Sequence, residues 1–207
     1  MIGLLFAICI TAILGFFVWI TRRSADPGHL RAVSNLMGHV AAIAAVVVPA
    51  VVFAKYVAPS RLGPFSGLIP LHLGGTAEFP LTDDIAFPNR MVAFACAAVP
   101  LGIAVWALFS TRRLFRLYAH GDLFSKESLA LLGTISLALC LYVLTSFLVE
   151  APITAALSLG RAAGPHGMSL TLKIGDLSLL FVAGLIRVFA HVMAHAIRAA
   201  EENASFV

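Results

Sequence analysis

The stretch that decides the fold is LALLGTISLALCLYVLTSFLV, residues 129–149, which contains no charged side chain. A helix needs about 20 apolar residues to cross the hydrocarbon core of a bilayer. A run of this length without a charge therefore predicts a transmembrane helix.

The whole chain has the composition of a lipid-embedded protein. Of its 207 residues, 60% are hydrophobic and 12% are charged, whereas soluble domains carry about 25% charged residues. So little charge cannot cover an ordinary apolar core with a polar shell, which makes lipid the natural solvent. The positions of the basic residues are then more informative than the net charge of +4.

Five segments are long and apolar enough to predict a five-span helical bundle. They are residues 2–20, 36–56, 91–110, 129–149 and 177–197. The first could instead be a signal peptide, but its basic residues, Arg22 and Arg23, follow the apolar run rather than precede it. This order favours a retained span with its N-terminus outside.

The basic residues of the short loops predict the orientation, because such loops are positive on the cytoplasmic side. The first and third connections and the tail carry the larger share of them. The first connection carries Arg22, Arg23 and Arg31, and the third carries Arg112, Arg113, Arg116 and Lys126. The N-terminus is therefore predicted outside and the C-terminus inside, in a bacterial plasma membrane.

The two outer connections, residues 57–90 and 151–175, predict a small β-element. The first is rich in proline, which excludes a long helix, and two short apolar runs, 68–73 and 77–81, flank its Gly74–Gly75 turn. The second contains MSLTLKI, residues 168–174, whose alternation of apolar and polar residues is typical of a half-buried strand.

The inner end of the third span carries a basic cluster, Arg112, Arg113 and Arg116, on a continued helical pattern. Guanidinium groups here are expected to contact anionic lipid headgroups or a protein partner, although topological anchoring alone would also explain them. Gly121 is expected to end this helix, and Ser125 to cap the next one.

The fifth span carries a polar stripe, since Arg187, His191 and His195 recur at intervals of four. His39 is predicted at the same inner side. Two histidines at i and i+4 can share a metal ion or bracket a cofactor, but an amphipathic helix end with hydrogen-bonded histidines is the preferred explanation. No cofactor is predicted, and a haem, metal or quinone site at His191 and His195 is the alternative.

Two stretches resemble a known family. LFRLYAHGDLFS, residues 114–125, resembles a basic helix followed by a Gly-acidic-apolar-Phe-Ser signature, and AAEENASFV, residues 199–207, resembles a Glu-Glu-Asn ending. Both are similar to the bacterial membrane family named domain of unknown function twenty-nine seventy-five. The resemblance implies a four-span core over residues 35–207, and makes residues 1–34 an extra span with a basic inner loop.

Catalytic signatures such as GxSxG and HExxH are missing from the sequence, so catalysis is not expected. The hypothesis is a non-catalytic regulatory or scaffold protein that acts at the inner membrane face. The resemblance adds a small helix-turn-helix regulator as a partner, without direct nucleic-acid binding by this chain. The alternatives are a small transporter, or a cofactor-binding subunit that uses the His191/His195 stripe.

Overall fold

The fold is a set of long antiparallel helices. The computed structural model describes residues 27–59, 81–122, 125–159, 170–171 and 174–204. These form four helices: α1 (Pro27–Val57), α2 (Phe87–His120), α3 (Lys126–Leu159) and α4 (Ile174–Ala204). Each is long and apolar enough to cross a membrane, and the chain is a multi-pass membrane protein.

The helices pack in chain order, α1 on α2, α2 on α3 and α3 on α4. Small residues such as Ala93, Ala97, Ala138 and Ala183 are buried at these contacts, which lets the helices approach closely, as in other membrane bundles. Large apolar side chains such as Val46, Phe181 and Val188 point outwards, where lipid is the favourable surrounding.

Two apolar clusters hold the helices together at opposite ends. One joins α1, α2 and α3 through residues such as Tyr56, Ala97 and Leu157. The other joins α2, α3 and α4 through Leu114, Ile135 and Ile186. The start of α1, the end of α2, the start of α3 and the end of α4 therefore lie at one end of the molecule, which we call the basic end because Arg112, Arg113 and Arg116 are there.

The turn between α2 and α3 confirms the predicted caps. Gly121 has φ 96° and ends α2, with its N–H directed to the Tyr118 carbonyl. Only glycine adopts this backbone conformation without steric cost. The Ser125 hydroxyl accepts the N–H of Ser128 at 3.1 Å, which caps the first turn of α3.

Several predicted boundaries differ from the helices. Residues from Pro27 onwards belong to α1 rather than to a basic inner loop, and proline suits a first helical turn. The outer loop predicted over 151–175 begins later, because α3 continues through Pro152 to Leu159. Ile153 and Leu157 are buried in the three-helix cluster, and this burial stabilises the extension.

The predicted β-element and fifth span are not supported. The predicted first span, 2–20, lies outside the described residues, as do most of the predicted strands over 68–73, 77–81 and 168–174. No strand occurs within the described ranges, where Leu81 has no regular structure and Ile174 begins α4. The carboxylate of Asp176 in the first turn of α4 favours a helix there, and an alternation over so few residues is a weak strand signal.

Candidate functional site

The last turns of α2 carry the cationic groups of the basic end. α2 has 34 residues, so at about 1.5 Å per residue it is roughly 51 Å long and exceeds a hydrocarbon core of about 30 Å. Its continuation through residues 111–120 confirms the predicted helical extension. Arg112, Arg113 and Arg116 are all exposed and line one cavity of about 440 Å³ together with Glu127, but their side-chain partners differ.

Arg113 is engaged by α3. Its Nη2 and Nε atoms donate to Glu127 Oε1 at 2.6 and 3.0 Å. Both side chains are largely exposed, so the pair contributes only about 0.2–1 kcal/mol to stability. It nevertheless neutralises Arg113 and fixes its direction toward the start of α3.

Arg112 and Arg116 instead line a cleft between α1 and α2. The cleft has a volume of about 140 Å³, and no acidic side chain lines it among the described residues. We call it the α1–α2 cleft, and it is lined by Ser34, Asn35, Gly38, His39, Arg112, Arg116 and His120.

Gly38 sets the approach of the two helices beside this cleft. It is buried, and a Cβ atom at this position would lie 3.8 Å from Phe115 Cβ and 3.9 Å from the Arg112 carbonyl oxygen. These are ordinary contact distances, so α2 leaves room for a methyl group and would already be in contact with it. The absence of a side chain at position 38 thus keeps α1 close to the arginines.

The two cleft histidines are held in the same way. His39 Nδ1 lies 2.7 Å from the Asn35 carbonyl oxygen, and His120 Nδ1 lies 2.7 Å from the Arg116 carbonyl oxygen. A carbonyl oxygen only accepts, so each Nδ1 carries the hydrogen. The Nε2 atom of each ring is then left to interact with a group in the cleft.

Arg187, the first residue of the predicted stripe, lies against α3. It lines a groove of about 570 Å³ together with Gly133, Thr134, Ser136 and Cys140. Thr134 and Ser136 share this groove but use their hydroxyls elsewhere. Thr134 donates to the Ala130 carbonyl at 2.9 Å, and Ser136 donates to the Ala183 carbonyl at 2.9 Å, which joins α3 to α4.

His191 and His195 form a pair on the exposed side of α4. Their Nε2 atoms are 3.2 Å apart, and their rings meet edge to face with centroids 4.7 Å apart. His39 does not join them, since it lies in the α1–α2 cleft. No group of three or more His, Cys, Asp or Glu side chains suited to a metal ion exists in the described part of the chain.

Two charged residues at the opposite end have roles that the sequence analysis missed. The side chain of Arg90 is only 11% exposed and donates to the Val57 carbonyl and to Asp83, both at 3.3 Å. Glu150 is buried and accepts the Thr171 N–H at 3.0 Å. Arg90 thus links the start of α2 to the end of α1, and Glu150 holds a residue of the following connection against α3. The spacing of Asp83 and Arg90 across the start of α2 was the one available sequence signal.

Comparison with known proteins identifies a family for most of the chain. The model of the family described as "Protein of unknown function (DUF2975)" matches residues 53–207. The match confirms the family that the two motifs indicated, although it begins later than the expected residue 35. No curated protein and no solved structure matches the chain.

Proposed function

We propose, given that this chain belongs to the DUF2975 family of proteins of unknown function, that it is a non-catalytic membrane scaffold or regulator whose basic end binds anionic phospholipid headgroups. The observation that carries the proposal is the α1–α2 cleft, in which Arg112, Arg116, His39 and His120 meet and which no acidic side chain of the described residues lines.

The chemistry of the cleft suits a phosphate group. A guanidinium offers paired N–H donors that match two phosphate oxygens. Arg113 has a carboxylate partner in Glu127, whereas no described carboxylate engages Arg112 or Arg116. The two guanidinium groups are therefore the donors that a headgroup phosphate would meet.

The position of the cleft suits a lipid as well. It lies at the end of helices whose outer surfaces are apolar, and its arginines follow the apolar part of α2 directly. Arginines at this depth lie at the level of the phosphate layer, with their stems along apolar surface. The same cations support a location of the basic end on the cytoplasmic side of a bacterial plasma membrane, by the positive-inside rule.

Binding of phosphatidylglycerol to the full chain in detergent micelles tests the proposal. A phosphatidylcholine of the same acyl chains serves as the neutral lipid. A basic residue near an anionic surface contributes about 1 kcal/mol. The double variant Arg112→Gln/Arg116→Gln is therefore expected to bind phosphatidylglycerol roughly 10- to 30-fold more weakly.

Arg198→Gln/Arg113→Gln is the matched control, because it removes the same charge from exposed positions outside the α1–α2 cleft. It is expected to keep most of the affinity. Equal weakening by both double variants would reduce the effect to net charge and contradict a defined headgroup site. Equal affinity of the wild-type chain for both lipids would contradict the proposal altogether.

The regulatory part of the proposal concerns a cytosolic partner. A small helix-turn-helix regulator is the partner that the family resemblance suggested, and Arg112, Arg113 and Arg116 are the exposed groups at which it would dock. Co-purification of the detergent-solubilised chain with such a regulator tests this role. Replacement of the three arginines is expected to abolish it, and a regulator that never co-purifies would leave the chain a lipid-binding scaffold only.

A further inference from the structure

The histidine pair of α4 is independent of the α1–α2 cleft and has a different chemistry. His191 and His195 are one helical turn apart, so their side chains leave the same face of α4. Their Nε2 atoms face each other at 3.2 Å. Since two neutral rings can share only one hydrogen at this contact, one Nε2 donates and the other accepts.

This separation suits two ligands of one metal ion. With metal–nitrogen distances of about 2.0–2.1 Å, nitrogens 3.2 Å apart subtend an angle of roughly 100–106° at the ion. That angle lies between the right angle of neighbouring octahedral positions and the tetrahedral angle. Both imidazoles are exposed, so small ring rotations can direct the two lone pairs to a common point.

The same geometry disfavours haem ligation by this pair. Two axial histidines hold iron between them from opposite faces of the porphyrin, which needs nitrogens roughly 4 Å apart, twice an ordinary metal–nitrogen distance. His191 and His195 approach from one side of one helix, with Nε2 atoms at 3.2 Å. A small ion, with further positions open, is therefore the better fit.

The residues around the pair favour a metal ion that binds well to uncharged ligands. The exposed neighbours Val188, Phe189 and Val192 are apolar, so imidazole nitrogens left unpaired near them would be costly. Arg187 does not compete with a metal ion for the histidine nitrogens, because its guanidinium is directed to Gly133 on α3. Arg198 follows three residues after His195 and is the one nearby cation on the described part of this face. Its positive charge opposes a cation at the pair, so only ions that bind strongly to imidazole nitrogen suit it.

We propose that His191 and His195 chelate one divalent transition-metal ion of the copper(II) or zinc class, with water or a further donor completing its coordination. Imidazole nitrogen is a preferred ligand of both ions, and copper(II) has the highest affinity of the first-row series. On binding, the ring that donates through Nε2 shifts its hydrogen to Nδ1, so that both Nε2 lone pairs face the ion.

Copper(II) titration of the full chain tests the site. The protein is purified in detergent through a tag without histidine, stripped with a chelator and titrated with Cu²⁺ alone. Affinity is measured by calorimetry, and the number of nitrogen ligands by electron paramagnetic resonance. One tight Cu²⁺ per chain with two nitrogen couplings is expected. Loss of a residue that only hydrogen-bonds to a metal ligand costs about 10–100-fold in metal affinity. His191→Ala removes a ligand itself and is therefore expected to weaken Cu²⁺ binding at least roughly tenfold.

The double variant Val192→His/His195→Ala is the matched control. It keeps the number of histidines but places the second one on a neighbouring face, where it cannot share an ion with His191. Val192 is exposed, so the exchange leaves the core intact. A wild-type affinity equal to that of the control, or a single nitrogen coupling, would overturn the proposal.

Discussion

The guanidinium of Arg187 lies directly over Gly133: its Nη1 atom is 2.9 Å from the position that a Cβ atom at residue 133 would occupy. A side chain at 133 would thus displace the cation from its place against α3. Glycine inside a helix costs about 1 kcal/mol relative to alanine. Position 133 therefore gives up helix propensity and provides space for the one cation within the described apolar part of α4.

Replacement of Gly133 by alanine is expected to show both effects. The methyl group raises helix propensity by up to about 1 kcal/mol, but the Arg187 guanidinium must shift to accommodate it. A double-mutant cycle with Arg187→Met separates the two. Gly133→Ala is expected to stabilise the Arg187→Met background more than the wild-type chain, by about 0.5–1 kcal/mol, in detergent unfolding experiments. Equal gains in both backgrounds would show that residues 133 and 187 do not interact.

Removal of the charge on Glu127 is expected to strengthen binding of phosphatidylglycerol. Glu127→Gln releases Arg113 from its carboxylate partner, and each additional cation near an anionic surface contributes about 1 kcal/mol. A gain of up to roughly fivefold is expected in the micelle binding assay. Glu127→Gln combined with Arg113→Gln should return to the wild-type value. A gain that persists in the double variant would mean that Arg113 is not the released group.

The size of residue 38 is expected to control the α1–α2 cleft. Alanine fits at the observed distances of 3.8 and 3.9 Å, so Gly38→Ala should bind phosphatidylglycerol normally. A methyl group at this position already contacts α2, so the longer leucine side chain should force α1 away from Arg112 and separate His39 from the two arginines. Gly38→Leu is therefore expected to bind phosphatidylglycerol more weakly, by up to the roughly 10- to 30-fold expected for loss of both arginines. Normal binding by Gly38→Leu would mean that α1 does not contribute to the site.

The hydrogen bond between α3 and α4 is expected to make a small, measurable contribution to stability. Ser136→Ala removes the donor to the Ala183 carbonyl, and such bonds between membrane helices contribute about 0.6 kcal/mol, up to about 1.7. Thr134→Ala is the control two residues away, because its hydroxyl bonds within its own helix. Thermal unfolding in detergent compares them, and an equal loss for both would argue against a specific role of the interhelical bond.

Sequence patterns predicted the parts of this fold that depend on local properties. Apolar runs located four helices, since length and hydropathy decide whether a segment can cross a bilayer. Gly121 and Ser125 were predicted as caps because a cap depends only on a few neighbouring residues. The end of α3 was placed too early, because Pro152 is a local signal whereas the burial of Leu157 depends on α1 and α2.

The candidate sites required contacts between helices. Helical periodicity grouped Arg113 with Arg112 and Arg116, and it gave no reason to expect Glu127 as a partner across the turn. The sequence placed His39 on the same side of the membrane as His191 and His195, but depth does not determine which helix faces which. Its separation from the pair follows from the packing of α1 on α2 and of α4 on α3.

The order of packing has a mechanical consequence. Since the described helices are arranged in a row, α1 and α4 share no packed interface, and the two ends of the row stay open. A closed ring of helices can enclose a lumen, whereas an open row cannot. Within the described residues, a solute crossing the membrane would have no sealed path and would have to follow a groove that faces lipid. A channel would need further helices to close the row, whereas binding of ligands at one end of the molecule does not require a closed ring.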